Sequence, residues 1–325
     1  MSSSAPLENE DATSLQASAM RVHAFGGPEA MRLETVTLPP PGEGEILVRV
    51  RAAGVGPWDA WVRGGKSVLP QPLPLTPGSD VAGVVERIGP GVTGFAVGEE
   101  VYGTTNPRFT DGYATRAICA AGMMARKPQS LSFIEAAGVP VVACTAWQML
   151  FEHARVVAGQ SVLVLGAAGS VGALAVQMAK HAGARVIASG REGDAPFLAS
   201  LGADGVIGPV DSAATILPDG VDVVIDLVGG ESQRRAMGAL RPGGVLISAV
   251  SEPEAAEADR RGIEARFILV RVNTEDLTRI AAEIDAGALK ARVGTTLPLE
   301  QAVRAHEMIE GKVDHAPGKI VLVVD

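Results

Sequence analysis

The chain has 325 residues, 47% of them apolar, and a formal net charge of −9. That length suits two domains with sizeable cores, and the negative balance argues against nucleic acid or an anionic membrane as partner. Two cysteines without a CxxC pair, no apolar run near the ~18–20 residues that span a bilayer, and no basic-then-apolar leader point to a reduced, cytoplasmic protein.

Residues 1–18 are small, polar and acidic, which predicts a disordered leader. Met20–Phe25 and Glu45–Ala52 then alternate apolar and polar residues as half-exposed strands do, with Pro39-Pro40-Pro41-Gly42 between them. Val81–Ile88, Gly98–Gly103 and Gly112–Ile118 add short strands bounded by Gly/Pro turns. The whole predicts a barrel-like β domain over about residues 20–130. Ser132, with Glu135 three positions on, reads as a capping box, and Thr145–Ala154 as a longer helix.

The stretch Ser161–Arg191 organises the rest. Val162-Leu163-Val164-Leu165 is a continuous apolar run, as in strands buried on both faces of a parallel sheet. A glycine-rich turn, Gly166–Gly172, leads into a helical pattern, Ala173–Ala182, and a second strand, Arg185–Ser189. This is a βαβ unit with a dinucleotide fingerprint, intact except that Ala167 stands at its first glycine. Ala167, Ala168, Gly169, Ser170, Val171 and Gly172 are therefore expected to cradle a pyrophosphate at a helix N-terminus. Ser189, Gly190 and Arg191 follow the second strand, where a preference for NAD calls for a carboxylate. A guanidinium there pairs with a 2′-phosphate, so NADPH is the expected cofactor. The alternative leaves Arg191 in solvent and gives the ribose to Glu192.

Strands at Gly205–Ile207, Val221–Asp226, Gly243–Ser248 and Arg266–Val270 alternate with helices at Ala195–Leu201 and Gln233–Leu240. The class is α/β, a Rossmann-type doubly wound parallel sheet. Leu227, Val228 and Gly229, and Ala249, Val250 and Ser251, lie at carboxyl ends of its strands, where such sheets bind ligands. Helices at Thr274–Ala286 and Leu299–Gly311 and a strand at Lys319–Val324 are expected to return to the β domain.

Ala52-Ala-Gly-Val-Gly-Pro-Trp-Asp59, Gly78-Ser-Asp-Val-Ala-Gly-Val-Val85, Gly98-Glu-Glu-Val-Tyr-Gly103, Thr145-Ala-Trp147, Leu201-Gly-Ala-Asp204 and Gly318-Lys-Ile-Val321 occur in order around the glycine turn. Together they resemble the medium-chain dehydrogenase/reductase superfamily, in particular its zinc-free quinone oxidoreductase branch. The resemblance implies a GroES-like β-barrel substrate domain over residues 19–140 and 273–325, and a Rossmann NADPH-binding domain over 141–272. It puts Thr145 near the nicotinamide, although Thr145 could equally cap its helix. It brings the backbone of Phe267–Leu269 to the carboxamide, with plain core as the other reading of Phe267. Zinc-dependent relatives hold metal ligands where this chain has Gly56, Trp58 and Ser79, and the five histidines are scattered, so no metal is expected.

Catalytic candidates are Asp59, which fits the family motif; Trp61, where some relatives have Tyr; and Tyr102, near the cleft. No proton donor stands out, and solvent can protonate the product. The expected activity is NADPH-dependent hydride transfer to a quinone or activated alkene (enone). Two other readings are an enoyl-thioester reductase and a non-catalytic NADPH-binding redox sensor. Relatives pair the strand at residues 266–272 with its symmetry mate, which implies a homodimer.

Overall fold

The computed structural model describes residues 15–210 and 220–324, which form three sheets. The first is a two-stranded antiparallel ribbon, β1 (Leu15–Val22) with β2 (Met31–Leu38). Two expectations are corrected here. The strand expected at Met20–Phe25 begins at Leu15, so residues 15–18 belong to it and not to a leader; residues 1–14 lie outside the described residues. The reason is local: Ala17 is buried, and Ser18 exchanges hydrogen bonds with Thr115 through its N–H (3.0 Å) and its carbonyl (2.8 Å).

The second sheet is built on β3 (Glu45–Val55). One edge pairs with β4 (Asp80–Ile88), which continues through β5 (Glu100–Thr104) to β7 (Met124–Arg126). The other edge pairs near its start with β6 (Arg116–Ala120), and near its end with β15 (Lys319–Val323). Beyond β15 lies β14 (Val293–Pro298). The strand expected at Gly112–Ile118 thus starts at Arg116. Gly112 and Tyr113 instead bond to the carbonyls of Gly78 and Pro77 in a tight crossing.

The third sheet is parallel throughout. It runs β10 (Gly205–Ile207), β9 (Arg185–Ser189), β8 (Ser161–Val164), β11 (Val221–Asp226), β12 (Leu240–Ser248), β13 (Glu264–Phe267). In order of occurrence this is 3-2-1-4-5-6, the Rossmann arrangement, whose direction of winding reverses between β8 and β11. A ligand crevice opens at that reversal.

Among the described residues the helices are α1 (Pro57–Arg63), α2 (Phe133–Ala137), α3 (Pro140–Trp147), α4 (Ser170–His181), α5 (Ala195–Ser200), α6 (Gly230–Ala236), α7 (Ala255–Arg261), α8 (Thr274–Asp285) and α9 (Ala302–Ile309). Ser132 and Glu135 form the expected capping box on α2. The helix expected at Thr145–Ala154 is corrected. α3 starts at Pro140, whose fixed φ suits a first turn, and gives way to a π-helical turn at Gln148–His153. Residues 140–146 of α3 are all buried, so no amphipathic period marks the helix in the sequence. The strand expected at Arg266–Val270 is also corrected, because β13 ends at Phe267. After the Ile268 N–H donates to Ser248 O (2.9 Å), Ile268 and Val272 bury into the core.

Candidate active site

The glycine turn follows β8 directly. Gly166 has φ +68°, so the left-handed step is taken one residue before Ala167, and Ala167 is tolerated as a fully buried residue. Its N–H donates to Ser189 O (3.1 Å), locking the turn to β9. Gly169 is the N-cap of α4 and supplies no side-chain cap, which leaves first-turn N–H groups for an anion. A Cβ on Gly172 would lie 2.3 Å from Gly166 O, so only glycine lets helix and strand approach this closely. Ala168, Gly169, Ser170 and Val171 are all at least partly accessible. These features fit a dinucleotide diphosphate.

At the end of β9, Ser189 is buried and donates to Gly208 O (3.1 Å), and the Gly190 N–H donates to Ile207 O (3.0 Å). Arg191 is exposed; its N–H caps onto Asp194 Oδ2 (2.9 Å), and its guanidinium enters no ion pair among the described residues.

Asp226, the last residue of β11, organises the opposite side. Its Oδ1 accepts from the N–H groups of Val228 (3.1 Å) and Gly229 (2.9 Å). Its Oδ2 accepts from Gln233 Nε2 (2.9 Å) and Ser248 Oγ (2.7 Å). Ser248 Oγ in turn receives the N–H groups of Val250 (3.2 Å) and Ser251 (3.3 Å). One buried carboxylate thus fixes both loops, 227–229 and 249–251. Val228, Val250 and Leu269 remain 49%, 43% and 62% exposed there, an apolar rim suited to a flat ring. Phe267 is half-buried at the end of β13. Thr145 lies inside α3, not at its cap, and its hydroxyl donates to Val141 O (2.7 Å), so toward a ligand it can only accept.

Beside α4 opens a pocket of about 350 Å³, lined by Ala168, Gly169 and Ser170 and also by Phe197, Lys290 and Arg292. The Arg292 guanidinium stacks 4.0 Å from the Phe197 ring. Sequence reasoning missed these two cations; no motif marks them, because they line the pocket from the segment before β14.

The catalytic candidates separate. Tyr102 is fully buried and donates to Leu277 O (2.6 Å), tying β5 to α8, so it does not serve the cleft. Trp61 is 52% exposed on α1. Asp59 is fully enclosed, and its Oδ2 accepts from Gly56 N–H (2.8 Å) and Tyr113 O–H (3.0 Å), while Oδ1 has no partner among the described residues. Tyr113 Oη meets His306 Nε2 (3.2 Å), His306 Nδ1 meets Arg63 Nη1 (2.8 Å), and Arg63 pairs with Glu310. Because Arg63 can only donate, the neutral imidazole carries its proton on Nε2 and donates that N–H to Tyr113 Oη. His306, one of the five scattered histidines, is thus central to a buried polar column.

Burial pushes the Asp59 carboxyl up to about 7, against the opposing pull of the Gly56 N–H and the Lys319 ammonium. Burial, helped by Arg63, pushes the His306 imidazole down to about 3. For Asp59 the folded chain keeps a proton that the unfolded chain releases above its ordinary value of 3.8. This residue's contribution to stability therefore falls as pH rises from about 4 to about 7 and is constant above that, with a limiting slope of about 1.4 kcal/mol per pH unit. In Asp59→Asn the amide oxygen can keep both donors, so that component of the slope should vanish. Urea unfolding across this pH range checks it, and equal slopes in variant and wild type would contradict the assignment.

Gly56, Trp58 and Ser79 do come together. The Trp58 indole donates to Ser79 Oγ (2.9 Å), and a Cβ on Gly56 would lie 2.3 Å from the indole ring. The buried Lys319 ammonium sits 4.3 Å from the Trp58 ring centroid and 3.5 Å from Asp80 Oδ2. Burial raises the Asp80 carboxyl to about 6 despite that ammonium. Where zinc-dependent relatives carry ligands, this chain packs an indole against a hydroxyl, a donor set poorly matched to zinc.

Comparison with known proteins shows the family. Residues 42–142 match the family described as alcohol dehydrogenase GroES-like domain, and residues 201–322 the family described as zinc-binding dehydrogenase. Quinone oxidoreductase of Homo sapiens is 32% identical over 324 residues, covering 94% of this chain and 97% of the relative. NADPH-dependent alkenal/one oxidoreductase of Arabidopsis thaliana is 32% identical over 313 residues, covering 92% and 77%. The solved quinone oxidoreductase of Coxiella burnetii superposes with a TM-score of 0.87 at 29% identity, over 96% of this chain and all of that one. The chain belongs to the medium-chain dehydrogenase/reductase superfamily and is an oxidoreductase of that type. Within it, the chain belongs to the quinone oxidoreductase-like branch, with a GroES-like domain beside its Rossmann-type sheet.

Proposed function

We propose that this protein is a cytoplasmic, NADPH-dependent reductase that transfers hydride to a quinone or an enone without zinc. Residues 15–140 and 273–325 would form the substrate domain and residues 141–272 the cofactor domain. The observation that carries the reading is the packing of Trp58 between Gly56 and Ser79. With an indole there in place of metal ligands, the acceptor must be one that needs no Lewis acid, and a conjugated carbonyl spreads the incoming charge onto its own oxygen.

NADPH, when bound, supplies the hydride. First-turn N–H groups at Gly169–Gly172 would hold its diphosphate, with Lys290 and Arg292 alongside. Arg191 would take the 2′-phosphate, Ser189 and Gly190 shaping the turn beneath it. Thr145, its proton committed to Val141, would accept from the carboxamide. Val228, Val250 and Leu269 would exclude water from the nicotinamide, with Leu227, Ala249, Ser251 and Phe267 behind them. The proton that completes reduction would come from solvent.

Elemental analysis of purified protein should find no stoichiometric zinc, and a chelator should leave turnover of a quinone–enone panel intact. Bound zinc lost together with activity would overturn the proposal.

The assembly proposed is a two-fold homodimer through the exposed edge of β13. That edge is short and carries Glu264 and Arg266, paired within one chain. Antiparallel pairing about Ala265 would set each Glu264 opposite the Arg266 of its mate, a self-complementary contact. Light scattering at micromolar concentration should give twice the chain mass; a monomer would contradict it.

A further inference from the structure

A set of large apolar side chains stays in solvent around the end of α1. Phe25 is 45% exposed, Trp61 52%, Val68 78%, Leu69 38% and Leu73 39%. Five large apolar side chains left in solvent, four of them between Trp61 and Leu73, mark a site of contact. The segment carrying it is pinned and cannot collapse inward. Lys66 N–H donates to Trp61 O (2.8 Å), Leu75 exchanges backbone bonds with Val22 (2.8 and 3.0 Å), and Gln71 Nε2 donates to Arg108 O (3.0 Å). Pro70, Pro72 and Pro74 restrict the backbone between these ties, so an apolar ledge is held open before any ligand arrives. From Gly64 to Leu75 the only charged residue is Lys66.

The ledge follows the helix that carries Trp58. Trp58 and Trp61 are three residues apart on α1 and so share a face. Trp58 is half-buried against the core cluster that contains Val142 and Ala167, while Trp61 stands outside. Ring chemistry at the inner end and a nearly uncharged shelf at the outer end define an elongated, amphipathic substrate.

We propose that Trp61, Val68, Leu69 and Leu73 hold the alkyl or isoprenoid tail of the acceptor, so that the substrate class is tailed quinones or enones. This rests on the function proposed above, and the test separates the two. One benzoquinone ring is assayed with no tail, one isoprene unit and two, each below its micelle concentration. KM should fall about tenfold per isoprene unit with kcat little changed, as for binding remote from the reacting atoms. That factor is 1.4 kcal/mol, about a third of full burial of five carbons. Val68→Ser with Leu69→Ser should flatten the series, and its melting temperature should match the wild type, since both residues are exposed.

A flat wild-type series with good turnover of the bare ring would sink the tail site and leave the reductase standing. No turnover of any member would sink both. Sedimentation of the protein with phosphatidylcholine vesicles alongside a flat series would make the ledge a lipid contact. Conversion of a dimer to a monomer by the double substitution would make it a subunit interface. Either result overturns the proposal.

Discussion

Arg191→Ala is expected to weaken NADPH binding about ten- to a hundredfold while changing NADH binding little. The guanidinium follows β9, is exposed, and enters no ion pair among the described residues, so it is free to take a 2′-phosphate without breaking an internal contact. A charge-assisted hydrogen bond contributes about 1.5–3 kcal/mol, which gives that range of affinity. NADH has no 2′-phosphate to lose. Glu192 is one residue further on, and if it held the ribose the preference would reverse. Dissociation constants for both cofactors, in wild type and variant, decide between the two. Equal losses for both would remove Arg191 from the phosphate site.

Asp226→Asn should be the most damaging single change near the cofactor crevice. The carboxylate receives four donors, two from backbone N–H groups and two from Gln233 and Ser248. An amide can satisfy one pair, but its nitrogen would face the other pair donor to donor. Leaving such groups buried and unpaired costs about 1–3 kcal/mol each, so a loss of roughly 2–5 kcal/mol in unfolding free energy is expected. The loops at 227–229 and 249–251 would slacken together, and NADPH affinity should fall because the proposed nicotinamide rim, Val228 and Val250, lies on them. Ser248→Ala removes one of the four donors and also the acceptor of the Val250 and Ser251 N–H groups, so it should loosen the 249–251 loop while the Asp226 bonds to Val228 and Gly229 hold the other. A fully stable Asp226→Asn variant would show that the bracket is dispensable.

The parallel sheet could be read because buried parallel strands are unbroken apolar runs and the first turn of the βαβ unit needs glycine. Where the reading slipped, the cause was burial on all sides. α3 is buried from Pro140 to Ala146 and shows no period, so the sequence does not reveal that the helix starts at Pro140 and not at Thr145. Ile268 and Val270 look like strand residues, yet the chain turns inward after Phe267. The glycine turn proposed to cradle the cofactor was legible as one contiguous motif. The column through Asp59, Tyr113, His306 and Arg63 was not, because His306 lies 243 residues from Arg63 and 193 from Tyr113. Lone polar residues at such separations carry no spacing signal. Lys290 and Arg292 were invisible for the same reason.

The most direct test of the account is the fate of the hydride. Metal-free protein is given NADPH deuterated at the transferable position, together with an enone, and the product is analysed by mass spectrometry and NMR. One deuterium on the β-carbon, with a solvent proton on the α-carbon, is the predicted result. Reduction of the carbonyl to an alcohol, or turnover that returns only when zinc is added, would contradict it.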